Sequence, residues 1–174
     1  RHAIGAYRLM VQTMPEQITD LINGVPVVDD HTNSTQFSDA TVIPIGFDQA
    51  DPANNGRGTI TGRILNTPNN PNDIDVFTFL SPSSGPLNVT LRRINGSTVQ
   101  ANFFLFDGNT GQLLTQSSLS AAGSVTLGPV QANQGQRFAL VVEAGSAQTS
   151  GEYEIEVNTT PFTDIITDER RWWE

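Results

Sequence analysis

The sequence predicts an all-β protein, a jelly-roll-like antiparallel β-sandwich with an extra N-terminal strand and a linker in front of it. Short runs that alternate apolar and polar residues recur along the chain, and Gly, Pro, Asn and Ser bound them. Nothing between Asp39 and Thr160 has an apolar face with the 3.6-residue period of a helix. Many short strands with regular turn signals are typical of sandwiches and barrels.

The sandwich itself is predicted to span residues 37–160. Within it, Asp107–Gly111 predicts a hairpin turn between two strands, because Asn and Gly tolerate positive φ. The predicted strands are Thr41–Phe47, Gly58–Leu65, Asp75–Leu80, Leu87–Ile94, Asn102–Phe106, Gln112–Thr115, Ser124–Leu127, Arg137–Glu143 and Glu152–Val157.

The predicted core consists of the alternating, same-face positions of the strongest strands. These are Val42, Ile60, Ile64, Phe77, Phe79, Val89, Leu91, Phe104, Phe106, Leu113, Phe138, Leu140, Val142, Tyr153 and Ile155.

Residues 13–36 are predicted to form a linker ahead of the sandwich. Glu16–Asn23 predicts a turn or two of helix, and Val25–Val28 predicts a short extended piece. His31 lies in the polar end of this linker and is expected to be solvated.

One internal repeat bears on the domain organisation. Gly5-Ala6-Tyr7-Arg8-Leu9-Met10-Val11 matches Gly151-Glu152-Tyr153-Glu154-Ile155-Glu156-Val157, with Gly, Tyr, an aliphatic residue and Val in register. A downstream match follows, because Thr19-Asp20-Leu21-Ile22 resembles Thr163-Asp164-Ile165-Ile166. We therefore interpret residues 1–12 as the closing strand of a preceding repeat or as an exchanged strand.

Composition excludes several classes of protein. The net charge of −9 leaves no basic stripe to displace counterions from phosphates, so no nucleic-acid partner is expected. The chain has no Cys, and no apolar run approaches the roughly 20 residues that span a bilayer. His2 and His31 lie in no catalytic motif, and Glu152, Glu154 and Glu156 alternate on one solvated face. The sequence therefore predicts no enzyme.

Five motifs occur in order along the chain, at residues 38–41, 58–64, 72–79 and 104–114 and in the closing Gly151-x-Tyr153-x-Ile155-x-Val157. Together they resemble the bacterial pre-peptidase C-terminal domain, a secreted β-sandwich related to the collagen-binding domains of clostridial collagenases. The resemblance implies a non-catalytic domain beside an enzyme or in a surface protein, located outside the cell, in the periplasm or at the cell surface. Some relatives bind calcium or collagen, which leaves calcium open as a cofactor here.

Asp73 and Asp75 are the candidate metal ligands, together with Asn72. Carboxylates at positions i and i+2 of a strand point to the same face, and oxygen ligands suit Ca²⁺. The alternative is structural, because an Asp at a strand entrance accepts hydrogen bonds from backbone N–H groups and fastens the loop. Both interpretations are open at the level of sequence.

The C-terminal tail, residues 161–174, is too apolar for a free solvated end. Arg170 and Arg171 adjoin Trp172 and Trp173, and Trp and Arg are typical anchors of protein interfaces. The tail therefore contacts its own sandwich, the segment Glu16–Val28 or a partner. Tyr7, Leu9 and Val11 are the corresponding candidate contact residues of the N-terminal strand.

The sequence predicts a non-catalytic extracellular module that binds or positions a partner, which is another protein or a neighbouring copy of itself. Two alternatives stay open. One is a structural repeat or filament subunit joined by strand exchange, and the other is an accessory subunit docked on the outer face of a larger complex.

Overall fold

The computed structural model describes residues 19–22, 25–28, 31, 36–46, 56–65, 73–120, 122–146 and 149–160, the first two ranges by their backbone alone. Its regular structure is all strand, and no helix in this part of the chain is long and apolar enough to cross a membrane. The strands are β1 Thr19–Ile22, β2 Val25–Val28, β3 Thr41–Val42, β4 Arg57–Leu65, β5 Ile74–Leu80, β6 Gly85–Arg93, β7 Ala101–Asp107, β8 Leu113–Leu119, β9 Ser124–Ala132, β10 Arg137–Ala144 and β11 Ser150–Asn158.

Two sheets pack face to face and confirm the predicted β-sandwich. The first has five strands in the order β3-β5-β10-β7-β8, and the second has four in the order β4-β11-β6-β9. Every pairing within them is antiparallel except that of the short β3 with β5. Because β11 is a central strand of the four-stranded sheet, it connects the early β4 to β6.

β1 and β2 form a separate two-stranded antiparallel sheet. The extended piece predicted for Val25–Val28 is therefore confirmed, whereas the helix predicted over Glu16–Asn23 is wrong for Thr19–Ile22. Ile22 pairs with Val25, which leaves the dipeptide Asn23-Gly24 between the strands. Asn-Gly is the sequence most typical of a two-residue hairpin loop, and this signal outweighs the weak helix propensity of the segment.

The core lies between the two sheets. Most of the predicted core residues are fully buried there, and the aromatic residues at its centre include the stacked pair Phe79 and Phe138, with ring centroids 5.3 Å apart. The confirmed core residues are Ile64, Phe77, Phe79, Val89, Leu91, Phe138, Leu140, Val142, Tyr153 and Ile155.

The predicted facing of three strands is wrong. In β7 the buried residues are Phe103 and Leu105, while Phe104 and Phe106 lie half-buried on the opposite side of the sheet. Val42 and Leu113 are exposed, with Ile43 buried next to Val42, and Ile60 is half-buried against the core. Each of these errors falls where two apolar residues are adjacent, because a doublet fits either face of a strand equally well. Ile60 has the predicted facing, since it packs against the core.

Candidate functional site

The two candidate carboxylates lie at the seam between the sheets. Asp73 and Asp75 are both fully buried. Asp73 Oδ2 accepts a hydrogen bond from the backbone N–H of Leu65, and Asp75 Oδ2 accepts one from the hydroxyl of Tyr153. Leu65 belongs to β4 and Tyr153 to β11, so each carboxylate ties the entrance of β5 to a strand of the opposite sheet. These contacts support the fastening role.

The space for the ring of Tyr153 depends on Gly62, its cross-strand partner in β4. A Cβ on Gly62 would lie 2.3 Å from the phenolic oxygen and 2.5 Å from the adjacent ring carbon, so only glycine leaves room for the ring. The ring also meets Phe77 edge-on at 6.4 Å. Gly62, Tyr153 and Asp75 therefore form one buried unit that joins three strands.

Calcium at Asp73 and Asp75 stays a prediction. Asn72, the third proposed ligand, lies outside the described residues. Within the described part of the chain, no group of three His, Cys, Asp or Glu residues is placed to hold a metal ion.

His31 lies at the same seam, and the expectation that it is solvated is wrong. Its Nε2 is 2.9 Å from the carbonyl oxygen of Thr61, and its Nδ1 is 3.2 Å from Oγ1 of Thr41. The ring packs edge-on against Phe77, with centroids 4.6 Å apart. A carbonyl oxygen can only accept, so Nε2 carries the proton. His31 thus links β3 of one sheet to β4 of the other.

The outward face of the four-stranded sheet is charged but internally paired. Arg57 and Glu156 form an ion pair at 2.6 Å, Arg92 donates to Glu154 at 2.5 Å and 2.8 Å, and Arg63 pairs with Glu152. A hydrogen bond from Asn95, helped by Arg63, holds the pKa of Glu152 below its ordinary value. Hydrogen bonds from Asn158 and Arg57 lower the pKa of Glu156 in the same way. Glu152 and Glu156 therefore stay ionised at neutral pH, each beside an arginine.

A polar cleft of about 530 Å³ lies at one end of this face. Arg63, Asn95 and Glu152 line it, and Glu152 accepts hydrogen bonds from both Arg63 and Asn95. The other residues that line it are Leu65, Gly96, Ser97, Thr98, Ser150 and Gly151.

The outward face of the five-stranded sheet, called here the outer face, is apolar by contrast. The three large apolar residues that are exposed in the described part of the chain all lie on it, Val42 at 64%, Leu80 at 54% and Leu113 at 43%. Phe104 and Phe106 lie half-buried between them, and Phe37 packs against Phe106 at 5.6 Å.

Sequence reasoning missed this surface. It assigned Val42, Phe104, Phe106 and Leu113 to the core and did not single out Leu80. The doublets Val42-Ile43, Phe103-Phe104 and Leu113-Leu114 are a usable signal, because a strand with two adjacent large apolar residues must leave one of them on its outward face. The predicted contact residues Tyr7, Leu9, Val11, Arg170, Arg171, Trp172 and Trp173 lie outside the described residues.

Known structures share this sandwich. The pre-peptidase C-terminal domain of a collagenase from Bacillus anthracis is 16% identical to this chain, with a TM-score of 0.50, and the match covers 73% of this chain and 100% of that domain. The likeness is one of fold. It confirms the resemblance that the sequence motifs indicated, at the level of architecture.

Two further structures match with lower scores. A periplasmic inhibitor of g-type lysozyme, PliG from Aeromonas hydrophila, is 14% identical over 68% of this chain and 96% of its own, with a TM-score of 0.39. The Yersinia pseudotuberculosis-derived mitogen is 13% identical over 64% of this chain and 92% of its own, with a TM-score of 0.44. No protein-family model and no curated protein matches the sequence.

Proposed function

We propose that this chain is a non-catalytic β-sandwich module of an exported protein, and that it binds or positions a protein partner through its outer face. The observation that carries the proposal is the contrast between the two sheets. The charges of the four-stranded sheet are paired with one another, whereas the outer face carries every exposed large apolar residue of the described chain. Contiguous exposed apolar surface marks interaction sites on soluble proteins.

The fold supports the same conclusion. The pre-peptidase C-terminal domain that shares this architecture is a domain of a collagenase. The buried carboxylates are bonded to Leu65 and Tyr153, which gives them a structural use. The proposal therefore assigns the chain a recognition role and no reaction.

The test compares two matched triple variants as baits. One carries Val42→Asp, Leu80→Asp and Leu113→Asp on the outer face, and the other carries Thr59→Asp, Thr61→Asp and Thr126→Asp on the charged face. Secreted proteins of the producing cell are passed over each bait and over the unmodified chain. We expect a stoichiometric partner that binds the unmodified chain and the threonine variant. The outer-face variant should not retain this partner. Equal retention by all three baits contradicts the proposal.

A second function, a repeat joined to its neighbours through closing strands, is favoured by a specific observation. Gly151, Tyr153, Ile155 and Val157 are the positions that the N-terminal segment repeats, and of these Tyr153, Ile155 and Val157 are fully buried. The outward Glu152, Glu154 and Glu156 are not repeated. Residues 5–11 thus match the inward side of β11, which supports their use as the closing strand of another copy.

A chimera tests this equivalence. Residues 151–157 are replaced by the sequence of residues 5–11, which keeps Gly, Tyr and Val and puts Leu in place of Ile155. We expect a cooperatively folded sandwich that is weakened only by the lost ion pairs. The matched control has Ala in place of the transplanted Tyr, and it should lose several times more stability. A chimera that fails to fold contradicts the equivalence.

A further inference from the structure

The outer face contains a groove at the end nearest the C-terminal turn of β5. Its volume is about 200 Å³, and its lining includes Phe37, Ala40, Val42, Leu80 and Arg137. We call it the Leu80 groove. Two of the three exposed large apolar residues, Val42 and Leu80, belong to it. Water in contact with these side chains is unfavourable, so an apolar occupant is stabilised there.

Arg137 gives the groove a cation at its rim. Among the arginines that the structure describes, Arg57, Arg63 and Arg92 pair with glutamates. Arg93 donates to the carbonyl oxygens of Val99 and Ser120. Among the described residues, no ion pair or hydrogen bond is found for the guanidinium of Arg137. An apolar hollow beside a cation favours an aromatic side chain, whose ring face attracts a guanidinium.

The chain leaves the sandwich beside this groove. The carbonyl oxygen of Thr160 accepts a hydrogen bond from Oγ of Ser83, and Oγ1 of Thr160 is 3.4 Å from the carbonyl oxygen of Pro86. Ser83 follows Leu80 by three residues, a separation of at most about 10 Å. Thr160 is therefore held at the same end of the sandwich as the groove.

Residues 161–174 supply the aromatic occupant. Trp172 lies twelve residues beyond Thr160, so an extended tail can carry it up to roughly 40 Å from Thr160. This reach is enough for Trp172 to enter the Leu80 groove. The tail has four acidic residues, Asp164, Asp168, Glu169 and Glu174, against Arg170 and Arg171, so its net charge of −2 complements the charge of Arg137. We infer that the tail folds back on its own sandwich and seats a tryptophan, Trp172 or Trp173, in the Leu80 groove. A seated tail covers Val42 and Leu80 and leaves Leu113, with the half-buried Phe104 and Phe106, as the part of the outer face that stays open to a partner.

Tryptophan fluorescence of the full chain is the direct test. Trp172 and Trp173 are the only two tryptophans of the sequence, so the emission reports on the tail alone. We expect blue-shifted emission and weak acrylamide quenching in the unmodified chain. Leu80→Asp should shift the emission to that of solvated tryptophan. Leu113→Asp, which adds the same charge at a similarly exposed position of the outer face, should leave it unchanged.

Circular dichroism and melting of both variants confirm that they stay folded, and a nuclear Overhauser contact between an indole and the Leu80 methyl groups places the ring. Emission typical of solvated tryptophan in the unmodified chain overturns the inference and leaves the tail for a partner. A shift that Leu80→Asp does not reverse overturns the location. Emission that depends on protein concentration assigns the groove to the tail of a second copy and overturns docking within one chain.

Discussion

Gly62 and Tyr153 depend on each other across the β4–β11 pair. The ring of Tyr153 occupies the space above the Gly62 backbone, and its hydroxyl donates to the buried Asp75. A methyl group at position 62 collides with the ring at several atoms, which a rigid aromatic side chain cannot avoid by a small rotation. The pair is thus an obligate combination of small and large residues.

Gly62→Ala should destabilise the sandwich by about 1–3 kcal/mol, because it overpacks the core. In a Tyr153→Leu background the same change should cost less than about 1 kcal/mol, since the methyl then fills vacated space. Urea unfolding of the four members of the cycle measures both values. Thr59→Ala, an exposed change on the same strand, is the control and should stay within about 0.5 kcal/mol. Additive single and double variants would show that the two residues are not coupled.

Calcium binding at Asp73 and Asp75 has a simple thermodynamic signature. A ligand that binds only the folded state raises the melting temperature by mass action, so excess Ca²⁺ should raise it and EDTA should lower it. Asp73→Asn should abolish the response while leaving a folded protein that retains an acceptor for the N–H of Leu65. Melting curves that are identical with and without chelator remove the metal and leave the fastening role.

Among the strands, β7 shows how pairing with a neighbour determines which side chains face the core. Both Phe103-Phe104 and Leu105-Phe106 offer a large apolar residue to each side, and the pairing of Phe103 with Val142 puts Phe103 and Leu105 inside. Phe104 and Phe106 then contribute to the outer face, where Phe37 covers part of them. The strand therefore serves the core and the outer face together.

Phe103→Ala should cost about 3–5 kcal/mol, because it empties a fully buried site. Phe104→Ala, the same change one position along the strand, should cost clearly less, since that side chain is only half-buried. Thermal or urea unfolding of the two variants gives the comparison. Equal losses, or a larger loss at Phe104, would mean that the strand faces the other way.

The ion pairs of β11 make stability depend on pH. Glu152 and Glu156 have a lower pKa in the folded chain than the ordinary glutamate value of 4.5, so both bind protons more weakly folded than unfolded. Their contribution is complete above about pH 4.5 and is lost as the pH falls through the lowered values. The free energy of unfolding should therefore decrease on acidification below that point.

Unfolding curves recorded between neutral pH and pH 3 check this sign. Glu152→Gln should flatten the acid-side slope, because the variant has one fewer carboxylate to protonate. Arg63→Gln weakens the same pair from the other side and should flatten the slope by less, since Asn95 still donates to Glu152. A slope that neither variant alters would locate the acid sensitivity elsewhere in the chain.

For the whole molecule, closure of the sandwich by its own β11 constrains any use of residues 1–12. β11 already pairs with β4 on one side and β6 on the other. In the same sandwich, the position between β4 and β6 is therefore not open to an additional copy of that strand. A sheet edge or another copy is the remaining place for it, and unpaired strands are prone to such pairing.

Deletion of residues 1–12 should abolish self-association and leave a folded monomer. Size-exclusion chromatography with light scattering, compared between the full chain and the deletion, measures the assembly, and circular dichroism monitors the fold. The matched control is the full chain with Tyr7→Ala and Val11→Ala, which should weaken the assembly without shortening the chain. If the deletion unfolds residues 39–160, the segment belongs to its own sandwich and the exchange hypothesis fails.

The sequence by itself determined the fold class, most strands and much of the core. Alternation of apolar and polar residues is a local property, and in β6 and β11 the large apolar residues occupy one set of alternate positions, so Leu91 and Ile155 had only one possible facing. Where two adjacent residues of a strand are both apolar, as in Val42-Ile43 or Leu113-Leu114, the alternation does not predict which of the two is buried.

The geometry of the site depends on tertiary contacts that sequence patterns do not reveal. The contact of His31 with Thr61, the hydrogen bond from Tyr153 to Asp75 and the space above Gly62 join residues that are far apart in the chain. No local pattern encodes which strand of one sheet faces which strand of the other. The same holds for the outer face, because an exposed Leu80 or Val42 becomes a surface only when two sheets have packed and left those residues outside.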